Sequence, residues 1–444
     1  MLMTILFECT ELTSTSENRH SGIERVTRNL AANARAASAA VGQSVKLVAH
    51  PEGIGLVKLQ EASPEGLRKS IGSLRFIASR FRTPRRFRRL CNAVFASLGF
   101  PELTRDQWKG SFGAIWILAL LIPVYGVGAI AFLSSLLMPR PRTAIDPAPG
   151  DVLVIPGWSW IDKRFSNMIG KLADQGVAIV PLIHDLIPIT HLDLVLPDTH
   201  TQFRDMIIPL LSSTALVMAN SQFTAREVET FMAHKRLRPA PPVASFRMGI
   251  ELDLTDESQR PGKRLRSAFA ARPPYLTVGT IEPKKNLPFL LDAFERLWEH
   301  HPDVPLVVVG RVGWNSETTC ERLRSLIAAG RPLHWFSNIE DHELSWCYQN
   351  ARALIYPSVI EGFGLPLLEA LLQGCPVLAS DIPIFREIGD GHCRYFPLDD
   401  VSKLCQLVEE CEREPPSRPQ VRWPDWQESA VEFFSMITSR IPPR

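Results

Sequence analysis

Two carboxylates bracket a Gly-Phe-Gly turn in the segment EGFGLPLLE, residues 361–369, which runs on into a leucine-rich stretch. Gly362 and Gly364 let the backbone turn tightly and approach a ligand, and Pro366 near the first helical position marks a helix start. The free N–H groups of that start attract phosphate. Carboxylates repel phosphate, so Glu361 and Glu369 suit hydroxyl groups, which donate hydrogen bonds to them. A sugar on each side of a diphosphate satisfies all of these groups. On a helical wheel Leu365, Leu368, Leu371 and Leu372 form a buried stripe and Glu369 borders it on the polar side. In isolation the segment also reads as two solvated charges beside an ordinary turn, because charged side chains are mostly exposed.

The elements that must position this turn are legible around it. YLTVG (275–279), PLVVVG (305–310), ALIYPS (353–358) and CPVLAS (375–380) are short apolar runs that read as buried parallel strands. Between them LPFLLDAFERLWEH, ETTCERLRSLIAAG, DHELSWCYQNA and LPLLEALLQG carry apolar residues at three- and four-residue intervals and read as helices. Alternation of this kind implies a parallel sheet covered on both faces, with ligands beyond the carboxyl ends of its strands. Loops 280–286, 311–315 and 359–364 are then expected to line a site. The first half repeats the pattern: TILFEC leads to a helix IERVTRNLAANARAA with Ile23, Val26 and Leu30 on one face, and DVLVIPG, VAIVPLIHD and ALVMAN read as strands. The expected class is α/β, two Rossmann-like domains facing a cleft. The first spans 1–250, a polar linker 251–270, the second domain 271–425, and a final helix 426–444.

Composition narrows the function. The 444 residues, 45% of them apolar, are enough for two domains with separate cores. Forty-nine basic against 47 acidic residues give a formal charge of +2, which offers no argument for a nucleic-acid partner. The eight cysteines are scattered without a Cys-x-x-Cys pair, as suits a reducing compartment and no zinc site. The opening MLMTILFECTEL has too short an apolar run for a secretion signal. No Asp-x-Asp occurs, so a metal-bridged diphosphate is not expected, and no cofactor is.

Five segments, taken in order, resemble the retaining glycosyltransferases of family 4, whose fold is called GT-B. They are SGIERVTRNL (21–30), VPLIHDLIP (180–188), ANSQFTAREV (219–228), VGTIEPKKN (278–286) and EGFGLPLLE. The resemblance implies that Glu361 contacts the donor sugar, that Gly362, Phe363 and Gly364 present backbone amides, and that Glu369 binds the nucleotide ribose. It implies further that Lys285 neutralises the diphosphate, that Gly22 lets the first helix approach the same group, and that His184 stands near the scissile bond. Asp185 beside it reads as a cap of the following turn. Thr280 stands where many members of the family have arginine, which leaves diphosphate neutralisation to Lys285 with Lys284 or Arg311. Thr280 and VVVGRVGW also resemble a branch rich in mannosyltransferases of bacterial surface-polysaccharide assembly. Trp314 in that segment reads as packing on the base or as core. The branch implies a nucleotide-sugar donor, GDP-mannose, and a lipid-linked glycan acceptor, with front-face attack and no protein nucleophile. A nucleotide-sugar epimerase of the same fold, or a non-catalytic scaffold, are the alternatives.

One segment fits neither domain. FGAIWILALLIPVYGVGAIAFLSSLLM (112–138) has no charged residue and is long enough to span a bilayer. TILFEC and DVLVIPG, on either side of it, must join one sheet. A single span would separate them, so a hairpin re-entering one leaflet is expected, broken near Pro123, Gly126 and Gly128. Upstream, SLRFIASRFRTPRRFRRLCNAVF mixes arginine with apolar residues and carries no acid, as an amphipathic helix on an anionic membrane surface does. The insertion 72–140 is therefore expected to hold the protein monotopically on the cytoplasmic face of the inner membrane.

Overall fold

The computed structural model describes residues 3–13, 22–50, 56–59, 144–250 and 260–442. The insertion 72–140, with its amphipathic stretch and apolar hairpin, lies outside the described residues, as does most of the first half of the linker. Among the described residues no helix is long and apolar enough to cross a membrane.

The first sheet contains β1 (Thr4–Glu8), β2 (Ser44–Ala49), β3 (Leu56–Lys58), β4 (Ala144–Ile145), β5 (Val152–Ile155), β6 (Ala178–Ile183), β7 (Val217–Ala219) and β8 (Val243–Ser245). Their order is β4-β3-β2-β1-β5-β6-β7-β8, parallel except where β3 pairs with β2 and β4. The second sheet contains β9 (Tyr275–Val278), β10 (Leu306–Val309), β11 (Leu333–Phe336), β12 (Ala353–Tyr356), β13 (Val377–Ser380) and β14 (Cys393–Phe396). It is ordered β11-β10-β9-β12-β13-β14 and is parallel throughout. The expected α/β class is observed, with both sheets parallel at their centres.

The strands that the apolar runs marked are central ones, buried at nearly every position. β2, β3, β4 and β8 of the first sheet were not marked, and neither were β11 and β14. The last two are the edges of the second sheet and alternate buried with exposed positions, such as His334 and Arg394, so they carry no continuous apolar run. The four second-half segments read as helices form Leu287–His300, Glu317–Ala328, Asp341–Asn350 and Leu365–Leu372, within a residue or two of the bounds named above. In the first half the helix is Gly22–Val41. Val26 and Leu30 are buried in it, but Ile23, in its first turn, is only half-buried. Within the stretch read as linker, residues Lys263–Ala268 form a helix whose Leu265 and Ala268 are buried.

The final helix, Trp426–Arg440, packs on Gly22–Val41. Ala430, Phe433, Phe434 and Ile437 share a core with Val26, Leu30, Ala34 and Ala37. The alanines let the two helices approach closely, and each buried phenylalanine contributes about 2–3 kcal/mol. Phe433 meets Phe246 edge-on at 4.8 Å, and an Asp425/Glu428 capping box fixes the start of the helix. The chain thus returns to the first domain, and Trp423 Nε1 donates to the Met248 carbonyl at 2.7 Å where the two crossings run side by side.

Candidate active site

In both sheets the strand order reverses at the centre, between β1 and β5 and between β9 and β12. Ligands of open α/β sheets bind in the crevice at such a switch point. In the second sheet this brings the loop after β9 (279–286) beside the loop after β12 (357–364). The two loops are locked by close packing. Gly279 has φ +148°, and a Cβ there would meet the Lys285 side chain at 3.3 Å. Gly364 has φ +107°, and a Cβ there would stand 2.8 Å from Phe385. Both positions require glycine.

Lys285 and Glu361 meet at this junction. The Lys285 ammonium donates to Glu361 Oε1 and, at 2.9 Å, to the Tyr356 hydroxyl. Glu361 Oε1 also accepts from Tyr356 at 3.0 Å and from Ser358 at 2.7 Å. Burial alone would raise the Glu361 pKa; the Lys285 and Lys284 ammonium groups, with the Lys285 and Ser358 hydrogen bonds, outweigh it and hold it below the ordinary value. The site therefore presents an ionised carboxylate with a cation against it. Tyr356 and Ser358, in the YPS immediately before the turn, were not singled out above; their hydroxyls complete the cage. Lys284 is half-buried, and its side chain lies 3.4 Å from Glu282. Thr280 is half-buried beside Gly313, where a Cβ would meet its methyl group at 2.7 Å. Arg311 is exposed on the neighbouring loop, and Trp314 is half-buried.

Glu369 is not on a polar face. It is 2% exposed, because the Leu365–Leu372 helix is enclosed on most of its surface: residues 367–371 are all buried, and Leu365 and Leu372 are the half-buried ends. Its Oε1 accepts from Arg25 at 2.8 Å and its Oε2 from the Tyr348 hydroxyl at 3.1 Å. Arg25 belongs to the other domain, in the first turn of Gly22–Val41. Gly22 itself is exposed, with Leu365 Cδ1 3.7 Å from where its Cβ would be, so the starts of the two helices face each other. Phe363 is buried against Trp423, ring centroids 6.4 Å apart, and anchors the turn.

The first domain meets the turn directly. A Cβ on Gly362 would fall 2.5 Å from the His184 carbonyl and 2.9 Å from Asp185 Cβ, so this glycine is needed for the two domains to touch. His184 is buried, its Nε2 2.7 Å from the Pro156 carbonyl. Loss of water lowers its pKa to about 4, outweighing that hydrogen bond. The ring is neutral near pH 7 and, since a carbonyl only accepts, carries its proton on Nε2; Nδ1 is the acceptor. Asp185 Oδ1 accepts from the Ile187 amide at 3.1 Å, which is the capping role read for it. Among the described residues no cluster of His, Cys, Asp and Glu is spaced to hold a metal.

A second acid in the first domain has an unusual titration. Glu11 accepts from the Trp158 amide, and burial raises its pKa from 4.5 to about 7. The sign follows from linkage: a carboxyl with a raised folded pKa contributes stability below pH 4.5 that is lost as pH rises through 7, while His184, lowered from 6.5 to about 4, loses stability as pH falls through that range. The two oppose each other between roughly pH 4.5 and 6.5. Glu11→Gln, which keeps the acceptor oxygen, is expected to gain stability relative to the natural protein as pH rises from 5 to 8, by up to about 3 kcal/mol. Urea midpoints of both proteins across that range test this; a constant difference refutes the shift.

Two facing parallel sheets, with loops from both converging on one turn, define the glycosyltransferase architecture GT-B. The sucrose-phosphate synthase of Thermosynechococcus elongatus shares it, with a TM-score of 0.52 at 15% identity over 99% of this chain and 94% of that one. Residues 266–415 match the family "Glycosyl transferases group 1" and are a domain of that family. The chain is homologous to the serotype-specific mannosyltransferase WbdA of Escherichia coli, 33% identical over 276 residues, 60% of this chain and 34% of that protein. The O-antigen chain mannosyltransferase B of Escherichia coli is 30% identical over 190 residues, 41% of this chain and 47% of that protein. The chain thus spans about a third to a half of the length of these relatives.

Proposed function

We propose that this protein is a retaining, metal-independent glycosyltransferase that moves mannose from GDP-mannose to a lipid-linked oligosaccharide or polysaccharide acceptor in bacterial cell-surface polysaccharide synthesis. One observation carries the reading: the Lys285–Glu361 pair and the EGFG turn face the His184–Asp185 segment of the other domain, with Gly362 against the His184 carbonyl. Homology to mannosyltransferases supports the choice of sugar.

In this reading Glu361 accepts from hydroxyls of the donor sugar, and the amides of Gly362, Phe363 and Gly364 hold it beside the turn. Lys285, helped by Lys284, Thr280 and Arg311, takes up charge as the diphosphate leaves, so that bond breaking needs neither a metal nor a protein nucleophile. Glu369 binds the ribose, and the start of Gly22–Val41 closes over the diphosphate. The leaving phosphate oxygen takes the acceptor proton, and neutral His184 fixes the sugar without competing for it. The insertion 72–140 holds the protein on the anionic cytoplasmic surface of the inner membrane, where the lipid-linked acceptor is presented.

The test is to incubate the protein with a panel of nucleotide sugars and membrane lipid extract and to identify the transferred mass. The expected product is one hexose heavier, formed from GDP-mannose, undiminished by chelator, and made by protein that floats with anionic vesicles in high salt. Transfer from no donor, or strict dependence on a divalent ion, defeats the proposal.

A further inference from the structure

We propose that Glu387 is a positioning residue that clamps the two domains together and thereby sets His184 against the donor turn. Glu387 lies on the short helix Pro383–Gly389 of the second domain. Its Oε1 accepts from the Gln222 amide and its Oε2 from the Phe223 amide, both at 2.7 Å. These amides open the helix Gln222–His234 of the first domain. The first four N–H groups of a helix have no partner within it. Ser221 Oγ takes one of them, from Thr224, at 3.0 Å. The carboxylate of the other domain takes two more, at the positive end of a helix of 13 residues. Arg226 adds an ion pair with Glu387 at 3.7 Å.

This terminus also holds the candidate site. Asn220, which precedes it, donates through Nδ2 to the His184 carbonyl at 2.9 Å. The Thr224 hydroxyl lies 3.2 Å from the Gly362 carbonyl and 3.4 Å from that of His184. One short segment therefore touches the carbonyls of His184 and Gly362, which come from opposite domains, and its position is set by two charge-assisted bonds from Glu387. Glu387 touches neither His184 nor the turn. It acts through the helix, which separates it from the groups that meet substrate.

The inference rests on the transferase reading where it concerns rate, but the clamp is testable without a donor. The radius of gyration of the full chain in detergent, measured by small-angle scattering without nucleotide, is expected to be larger for Glu387→Ala than for the natural protein. Glu387→Gln, which keeps one acceptor oxygen, should fall between them. With GDP-mannose the alanine variant should lose tenfold or more in kcat while its affinity for GDP changes less than about threefold. Loss of kcat and GDP affinity by the same factor would make Glu387 a donor-binding residue instead. An unchanged radius, or a larger radius with unchanged kcat, overturns the proposal. If the natural protein transfers from no donor, the transferase reading fails while the scattering comparison still decides whether Glu387 clamps the domains.

Discussion

Lys285→Ala is expected to lower the rate of sugar transfer by about two orders of magnitude or more, far beyond the loss from removing a surface lysine. A charge-assisted bond contributes roughly 1.5–3 kcal/mol, and a group that stabilises charge only in the transition state is worth about as much or more. A second contribution comes from the ground state. Lys285 donates to both Glu361 and Tyr356, and its removal leaves a buried carboxylate with Lys284, Ser358 and Tyr356 as its remaining partners. The Glu361 pKa is held down partly by Lys285, so its ionised form stabilises the fold above the ordinary value of 4.5, and that stability is lost as pH falls below it. In the alanine variant the folded pKa moves back up, so this stabilisation should be smaller and should be exhausted at a higher pH. Lys285→Arg keeps the charge but not the compact ammonium that fits against Gly279, and should recover stability more than rate. Adding Glu361→Gln to Lys285→Ala should cost less than the sum of the single changes, because each variant removes the same pair. Transfer rates and unfolding midpoints of the five proteins test this; a rate for Lys285→Ala within about threefold of the natural protein, with charged-contact energies of 1.5–3 kcal/mol at stake, returns Lys285 to an ordinary loop lysine.

Glu369→Gln is expected to weaken nucleotide binding by about tenfold or more, while Glu361→Gln leaves nucleotide affinity nearly unchanged and lowers turnover. The separation follows from where the two carboxylates stand. Glu361 is caged by the loop cations at the switch point, whereas Glu369 is buried one helix turn further on and joined to the opposite domain through Arg25. Both Glu369 oxygens already accept one bond each, from Arg25 and Tyr348, and a carboxylate has about four acceptor sites, so a ribose diol can share it. Burial disfavours the Arg25 charge, but Glu369 more than compensates and raises its pKa, so the two groups depend on each other. Removing either should therefore disturb the other. A double-mutant cycle of Arg25→Gln and Glu369→Gln, read by calorimetric titration with GDP, should show a coupling of about 1–3 kcal/mol. Zero coupling together with natural affinity in Glu369→Gln would place the ribose elsewhere.

Local pattern was sufficient for the central strands of both sheets and for the helices that follow them. β9, β10, β12 and β13 are buried on both faces and read as continuous apolar runs, and the helices between them repeat every three or four residues, because one face of each meets the sheet. The EGFG turn and its two glutamates were legible for the same reason: a tight turn, a helix start and an acceptor are each local properties. The helical wheel failed at Glu369, since it assumes that one face of a helix meets water, and this helix is enclosed by its own sheet, by Asp341–Asn350 and by the first domain. Tertiary structure alone decided the partners. Lys285 and Glu361 are 76 residues apart and meet because the strand order reverses between β9 and β12; Arg25 and Glu369 are 344 apart and meet because the domains dock. Glu387 carries no local motif, and only the docking of Pro383–Gly389 onto the start of Gln222–His234 makes it a cap. Such contacts depend on where whole sheets and domains settle, a free-energy balance of buried surface across the chain that no window of residues carries.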